Sequence, residues 1–230
     1  MKIKNRLKIY YLIFAIGIFS LTTVGATYAY WVSSANSDNV ISTNSISYSI
    51  SMSISPLYHG FSFIPMDGED TVKAIANGCK DKYDRGACSA YRINVYGYNE
   101  GLSFISGTIN ATTNIENLSY VIMAPKLIGE DSSKCASIEF GDEINSDIRE
   151  YCLYNDYTKI ENNVEQVLID SYNVSSIRQV EFILIVWLEN EERSQNEDGI
   201  GSFTASVTIS AGSGGKIQGV ITDAIEIDRL

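Results

Sequence analysis

The chain is short of histidine, proline, tryptophan and positive charge. Its 230 residues hold one histidine, three prolines and two tryptophans, and 17 Lys+Arg face 28 Asp+Glu for a net charge of −11. A single histidine leaves no His-rich metal centre to build and argues against a Ser-His-Asp hydrolase, which needs an imidazole base beside its nucleophile. That residue, His59, stands in "LYHGF" between a strand end and a loop and reads as a surface side chain. H-E-x-x-H and G-x-S-x-G are absent, and so is a phosphate-cradling glycine loop. The acidic balance argues against nucleic acid or anionic lipid as partners. No repeat of 20–50 residues is present. No apolar span or wall-sorting pattern stands near the C-terminus.

Carboxylates remain. Asp67, Glu69 and Asp70 form one cluster; Glu189, Glu191, Glu192, Glu197 and Asp198 form another. A pair of them could serve glycoside hydrolysis, and oxygen ligands on a loop could hold Ca²⁺. Neither cluster matches the calcium-loop pattern. Glu143, Asn145 and Asp147 have its spacing without its glycine or its closing glutamate. Solvated loop charge accounts for all three groups. The expectation is no catalytic residue, no metal ligand and no cofactor, with Ca²⁺ at an acidic loop as the one alternative. The sequons at Asn110, Asn117 and Asn173 are short patterns that arise by chance.

Cysteines number four: Cys79, Cys88, Cys135 and Cys152. An even count in an exported chain suggests disulfides. Three pairings exist; Cys79–Cys88 with Cys135–Cys152 is favoured because each closes a short local loop. Zinc is the rival reading, but no C-x2-C unit occurs and His59 stands alone.

Export is read from the start of the chain. Lys2, Lys4, Arg6 and Lys8 precede an apolar run over residues 9–21, and no acidic residue occurs in the first 29. Thr27-Tyr28-Ala29 then offers small residues at its first and third places. These are the parts of a secretory signal, with cleavage between Ala29 and Tyr30. The apolar run is shorter than the roughly 20 residues of a spanning helix. Retention as an uncleaved membrane anchor is the alternative. Cleavage removes four basic residues and moves the net charge from −11 to −15. The expected organisation is a signal peptide over 1–29, a leader or donor segment over 30–44, and one β domain over 45–230.

The remainder reads as strand. In "SISYSISMSI" Ile46, Tyr48, Ile50, Met52 and Ile54 take every second place, which gives one apolar and one polar face on a strand. Pro56 and Gly60 are expected to end it. Residues 71–76 suggest a weak strand, and "NGCKDKYDRGAC" a cross-linked hairpin-like loop. "AYRINVYGY", "SFISGTINA" and "LSYVIMAPKL" alternate, with Pro125 limiting the last. Ile144, Ile148 and Tyr151 fall at i, i+4 and i+7 and suggest a short helix; "NVEQVLID" fits strand or helix. "VEFILIVWL" is apolar in both phases, as a central strand covered on both sides would be. It reads as one arm of a long-looped hairpin with "SFTASVTIS", and "KIQGVIT" adds a last strand. The fold class is all-β: an antiparallel, jelly-roll-like β-sandwich after an N-terminal signal helix.

Gly25, Thr27, Ala29 and Trp31, followed by a Ser/Asn-rich stretch and an amphipathic strand, resemble the signal-to-first-strand region of the TasA/camelysin family, whose signals the SipW signal peptidase processes. Trp187, Gln195, Asn196, Ser202 and Phe203 resemble that family's late strand pair. Together these cover roughly a third of the chain and leave out all four cysteines. The resemblance implies a jelly-roll-like sandwich, life at the cell surface or outside the cell, and biofilm-matrix fibres as one family role. It also implies that the freed N-terminal segment, from Tyr30 to about Val40 with Tyr30, Trp31 and Val32 foremost, adds as a strand to the next subunit. The protease label of camelysin is not carried over, because its ligands are missing. The expected partners are other copies or surface proteins, and signal peptidase during export. Nucleic acid is excluded, and a membrane enters only through an uncleaved signal. Two further readings stand beside this one: a monomeric extracellular binding module that recognises a sugar or a protein, and a secreted hydrolase that uses carboxylates.

Overall fold

A computed structural model describes residues 50–58, 62–97, 104–127, 131–140, 147–174, 179–190, 200–212 and 215–227. Its contacts divide the chain into Met1–Asp38 and Asn39–Leu230. The first unit, with the cleavage residues Ala29 and Tyr30 and the assembly residues Trp31 and Val32, lies outside the described residues, as does His59.

The described elements are β1 (Ile50–Tyr58), β2 (Ser62–Phe63), α1 (Thr71–Ala76), β3 (Cys88–Gly97), β4 (Phe104–Thr113), β5 (Leu118–Pro125), β6 (Cys135–Phe140), β7 (Asp147–Leu153), β8 (Thr158–Lys159), β9 (Glu165–Asn173), β10 (Gln179–Leu188), β11 (Ile200–Ala211) and β12 (Lys216–Ile227). They form two sheets, so the protein is an all-β sandwich. The first sheet runs β1-β3-β10-β5-β7-β6, with β8 beside β5; the second runs β2-β12-β11-β4-β9. Pairing is antiparallel except between β12 and β2.

Side-chain alternation places the core. Along β3, Tyr91, Ile93 and Val95 point between the sheets, where they meet Ile109, Phe182, Phe203, Val207 and Ile221. The opposite phase of the same strands feeds a second cluster outside the first sheet. There Ile183, Ile185 and Trp187 of β10 pack with Ile75, Cys79, Cys88 and Ile138. Strand β10 is therefore covered on both faces, as its two apolar phases require. Each large side chain removed from water contributes about 1.5–3 kcal/mol. At the sandwich edge β12 comes close to β1: a Cβ on Gly219 would stand 2.8 Å from Ile54 Cδ1 and 2.9 Å from Met52 Cε.

Four local expectations are corrected. Residues 71–76 are helix α1, not strand, because Thr71, Ala74 and Ile75 are the buried positions and fall at helical spacing over the first sheet. The expected helix through Ile148 and Tyr151 is strand β7; Cys152 stands directly opposite Cys135 in the β6–β7 ladder, and Ile148 is exposed. Strand β1 does not stop at Pro56 but continues to Tyr58 across a register shift. Proline is tolerated there because β1 is the outermost strand and one side of it needs no ladder hydrogen bond. Finally, β10 and β11 are not a hairpin: β10 pairs with β3 and β5, and β11 with β12 and β4, so the chain between them crosses from one sheet to the other.

Candidate functional site

The four cysteines pair as Cys79–Cys88 and Cys135–Cys152. Both bonds fit a chain that folds in an oxidising compartment. Among the described residues no helix is long and apolar enough to cross a membrane, and no group of three or more His, Cys, Asp or Glu is placed to hold a metal ion.

The two acidic segments are brought together. Met66 N–H donates to Leu188 O at 3.0 Å, and Asn190 N–H to Met66 O at 3.1 Å. The Glu189 carboxylate accepts from Trp187 Nε1 at 2.9 Å and from Gly68 N at 3.3 Å. Asn190 Nδ2 donates to Asp67 Oδ1 at 3.1 Å. Tyr157 lies edge-on to Trp187, and burial followed by the charges of Glu69 and Glu189 raises its phenol above the usual tyrosine range. Glu189 thus ties the loop to the end of β10. Glu191, Glu192, Glu197 and Asp198 lie outside the described residues, as do Glu143 and Asn145. Asp147 is on β7 and accepts from Arg149 at 2.7 Å.

Two buried carboxylates escaped the sequence reading. Glu181, on the outer phase of β10, accepts from the Tyr151 hydroxyl; Arg149 Nη1 is 3.6 Å from one of its oxygens and Arg92 Nε 3.7 Å from the other. Phe140 lies beneath both guanidiniums, 4.7 Å from Arg92 and 5.4 Å from Arg149. Burial, then the hydrogen bond and charge of Glu181, raise the Tyr151 phenol far above its ordinary value. Asp223, on the inward phase of β12, accepts from Tyr91 and from Ser89 Oγ, the latter at 3.1 Å. A signal existed for each. Glu181 interrupts the most apolar run, and Asp223 takes an inward place in the series Ile217, Gly219, Ile221, Ile225.

The outer face of the second sheet is of another kind. Across β4 and β11, Thr112 stands opposite Thr204, Asn110 opposite Ser206, and Thr108 opposite Thr208. All six face outward, since the residues between them are buried. Longer side chains flank them: Glu165 and Val167 on β9, Gln218 and Val220 on β12. Short residues on the middle strands and long ones outside make a shallow trough of about 460 Å³. A second depression of about 250 Å³, reaching Ser106, Ser210 and Lys216, shares Thr108, Glu165 and Thr208 with it, so the two run together.

The geometry defines a disulfide-stapled, two-sheet β-sandwich with a hydroxyl-lined outer trough. No family model and no curated protein matches the chain. It is similar to solved structures at low identity. The sporulation control protein Spo0M of Bacillus subtilis aligns at 9% identity and TM-score 0.28, over 79% of this chain and 50% of that one. A DUF4466 family protein of Parabacteroides merdae aligns at 8% identity and TM-score 0.34, over 80% and 46%. The collagen-binding subdomain of the Enterococcus faecalis surface protein ACE aligns at 8% identity and TM-score 0.21, over 62% and 88%. The chain spans about half the length of the first two.

Proposed function

We propose that the protein works outside the cell as a non-enzymatic structural component of a surface or matrix, joined to further copies by strand addition. The single observation that carries this is the edge of β12. On one side β12 pairs with β11 from Lys216 to Glu226; on the other, residues 216–222 pair with no described strand, and β2 meets β12 only at Glu226 and Ile227. An extended row of backbone donors and acceptors at a sheet edge is a template for another strand. The resemblance of the N-terminal region to the TasA/camelysin family supplies the donor, residues 30–40 freed by cleavage after Ala29, with Tyr30, Trp31 and Val32 seating in the neighbour. The two disulfides support the oxidising exterior that export implies.

The test is the size of the processed protein in solution, by sedimentation and electron microscopy. Polymers are expected from a chain that begins at Tyr30 and monomers from one that lacks residues 30–40. A processed chain that stays monomeric, or a shortened one that still polymerises, overturns the reading.

A further inference from the structure

We infer that the outer trough of the second sheet binds a neutral polysaccharide. This goes beyond strand addition, since it uses outward side chains rather than a backbone edge.

The occupant is argued first from charge. The chain carries −11, yet the six floor residues Thr108, Asn110, Thr112, Thr204, Ser206 and Thr208 are all uncharged. Glu165, Asp170 and Lys216 stand at its margins, two carboxylates against one ammonium. An anionic polymer is repelled by the molecule as a whole and finds no cationic row here. A protein partner calls for an apolar centre with aromatic anchors, and the outward positions from Ser106 to Thr112 and from Thr204 to Ser210 hold no aromatic residue.

Hydrogen-bonding capacity gives the second argument. Each hydroxyl has one donor and two acceptor lone pairs. Thr108 donates to Glu165 Oε1 at 2.7 Å and Thr112 to Asn163 Oδ1 at 2.8 Å, so their lone pairs point to incoming donors. Ser206 accepts from Gln218 Nε2, which leaves its own hydrogen to give. Asn110 offers both kinds of group. A floor that both gives and takes hydrogen bonds at about 4.8 Å between strands suits a polyol.

Shape gives the third. The two depressions merge lengthwise along β4 and β11, so the trough fits a chain rather than a single small molecule.

Affinity electrophoresis tests this, with hydroxyethylcellulose, mixed-linkage β-glucan or dextran in the gel, polygalacturonate as the acidic control, and a polymer-free gel as reference. At least one neutral polymer should retard the processed protein, and polygalacturonate should not. The pair Thr108→Val and Thr208→Val removes two hydroxyls while keeping shape and charge, and should weaken retardation about tenfold. Ser206→Tyr fills the trough and should abolish it. The inference fails if no neutral polymer retards the protein, if polygalacturonate retards it equally, or if both variants behave like the parent. A dimer in sedimentation that Ser206→Tyr dissociates would give the face to a second copy and overturn it too. Deletion of residues 30–40 leaves this result unchanged, so the two proposals fail separately.

Discussion

Tyr91 on β3 donates its hydroxyl hydrogen to the carboxylate of Asp223 on β12, so a buried side-chain hydrogen bond joins the two sheets. Ser89, two residues away on the same face, gives the carboxylate another donor. A buried carboxylate is tolerated only where donors replace its water. Tyr91→Phe keeps the ring and removes one of them. The expected cost is about 1–3 kcal/mol, read as a fall in the urea midpoint at unchanged slope. A variant as stable as the parent would show that the bond contributes nothing net.

Alkaline pH reads the same pair. Burial first, then the charge of Asp223 and the hydrogen bond to it, hold the Tyr91 phenol well above its ordinary value of 10.0. The folded chain therefore keeps this proton where the unfolded chain loses it. The contribution is fully present below pH 10 and is lost as pH rises further, by up to about 1.4 kcal/mol per pH unit for each such tyrosine. Tyr151, raised by burial and by Glu181, adds a share of the same sign. Urea unfolding at pH 9, 10 and 11 should show declining stability and a shallower decline in Tyr91→Phe. Equal slopes in parent and variant would contradict the assignment.

These two tyrosines show how far the sequence reaches. Period-two alternation identified β1, β3, β4, β5 and β11, because an inward apolar phase is a local pattern. The double apolar phase of "VEFILIVWL" gave the central strand β10 for the same reason. Partner choice is not local: nothing in residues 180–188 says that the neighbours are β3 and β5 rather than β11. Nor does a six-residue stretch such as 71–76 hold enough turns to separate helix from strand before the first sheet is there to cover it. The cysteine pairing was legible because short loops close most readily. The trough was not read as a site, since its hydroxyl residues, strung out as "SGTINATT" and "FTASVTIS", become a surface only when β4 and β11 lie side by side.

Glu181 makes a different prediction from Asp223, because its neighbours are cations. It sits against Arg92 and Arg149 and accepts from Tyr151. Glu181→Ala removes the carboxylate shared by the two guanidiniums that lie over Phe140. Breaking a fully buried pair from one side costs about 3–5 kcal/mol; Arg92 and Arg149 are both partly exposed and Arg149 keeps Asp147, so a smaller loss is expected. Glu181→Gln keeps an acceptor for Tyr151 and should cost less than the alanine variant. Thermal unfolding of the two variants checks the order, and a reversed order would remove the ion pairs from the account.

The disulfides should differ in what they hold. Cys79–Cys88 closes a separation of 9 residues around a loop with ties of its own: Arg85 grips Asp81 at 2.7 Å, and Asp81 also accepts the backbone N–H groups of Tyr83 and Arg85 at 2.8 Å. Cys135–Cys152 closes a separation of 17, and it pins β6, the last strand of its sheet, to β7, which reaches β5 through only three residue pairs. Loop-closure entropy assigns about 3 kcal/mol to the longer bridge and about half a kcal/mol less to the shorter. Replacing Cys135 and Cys152 together by alanine should therefore cost more than replacing Cys79 and Cys88. It should also raise amide exchange first in residues 135–140 and 147–153, because that hairpin loses its only covalent tie while the 79–88 loop keeps its Asp81 bonds. Exchange that rises evenly over both sheets, or a larger loss from the shorter bridge, would mean that the β6–β7 ladder stands without its staple.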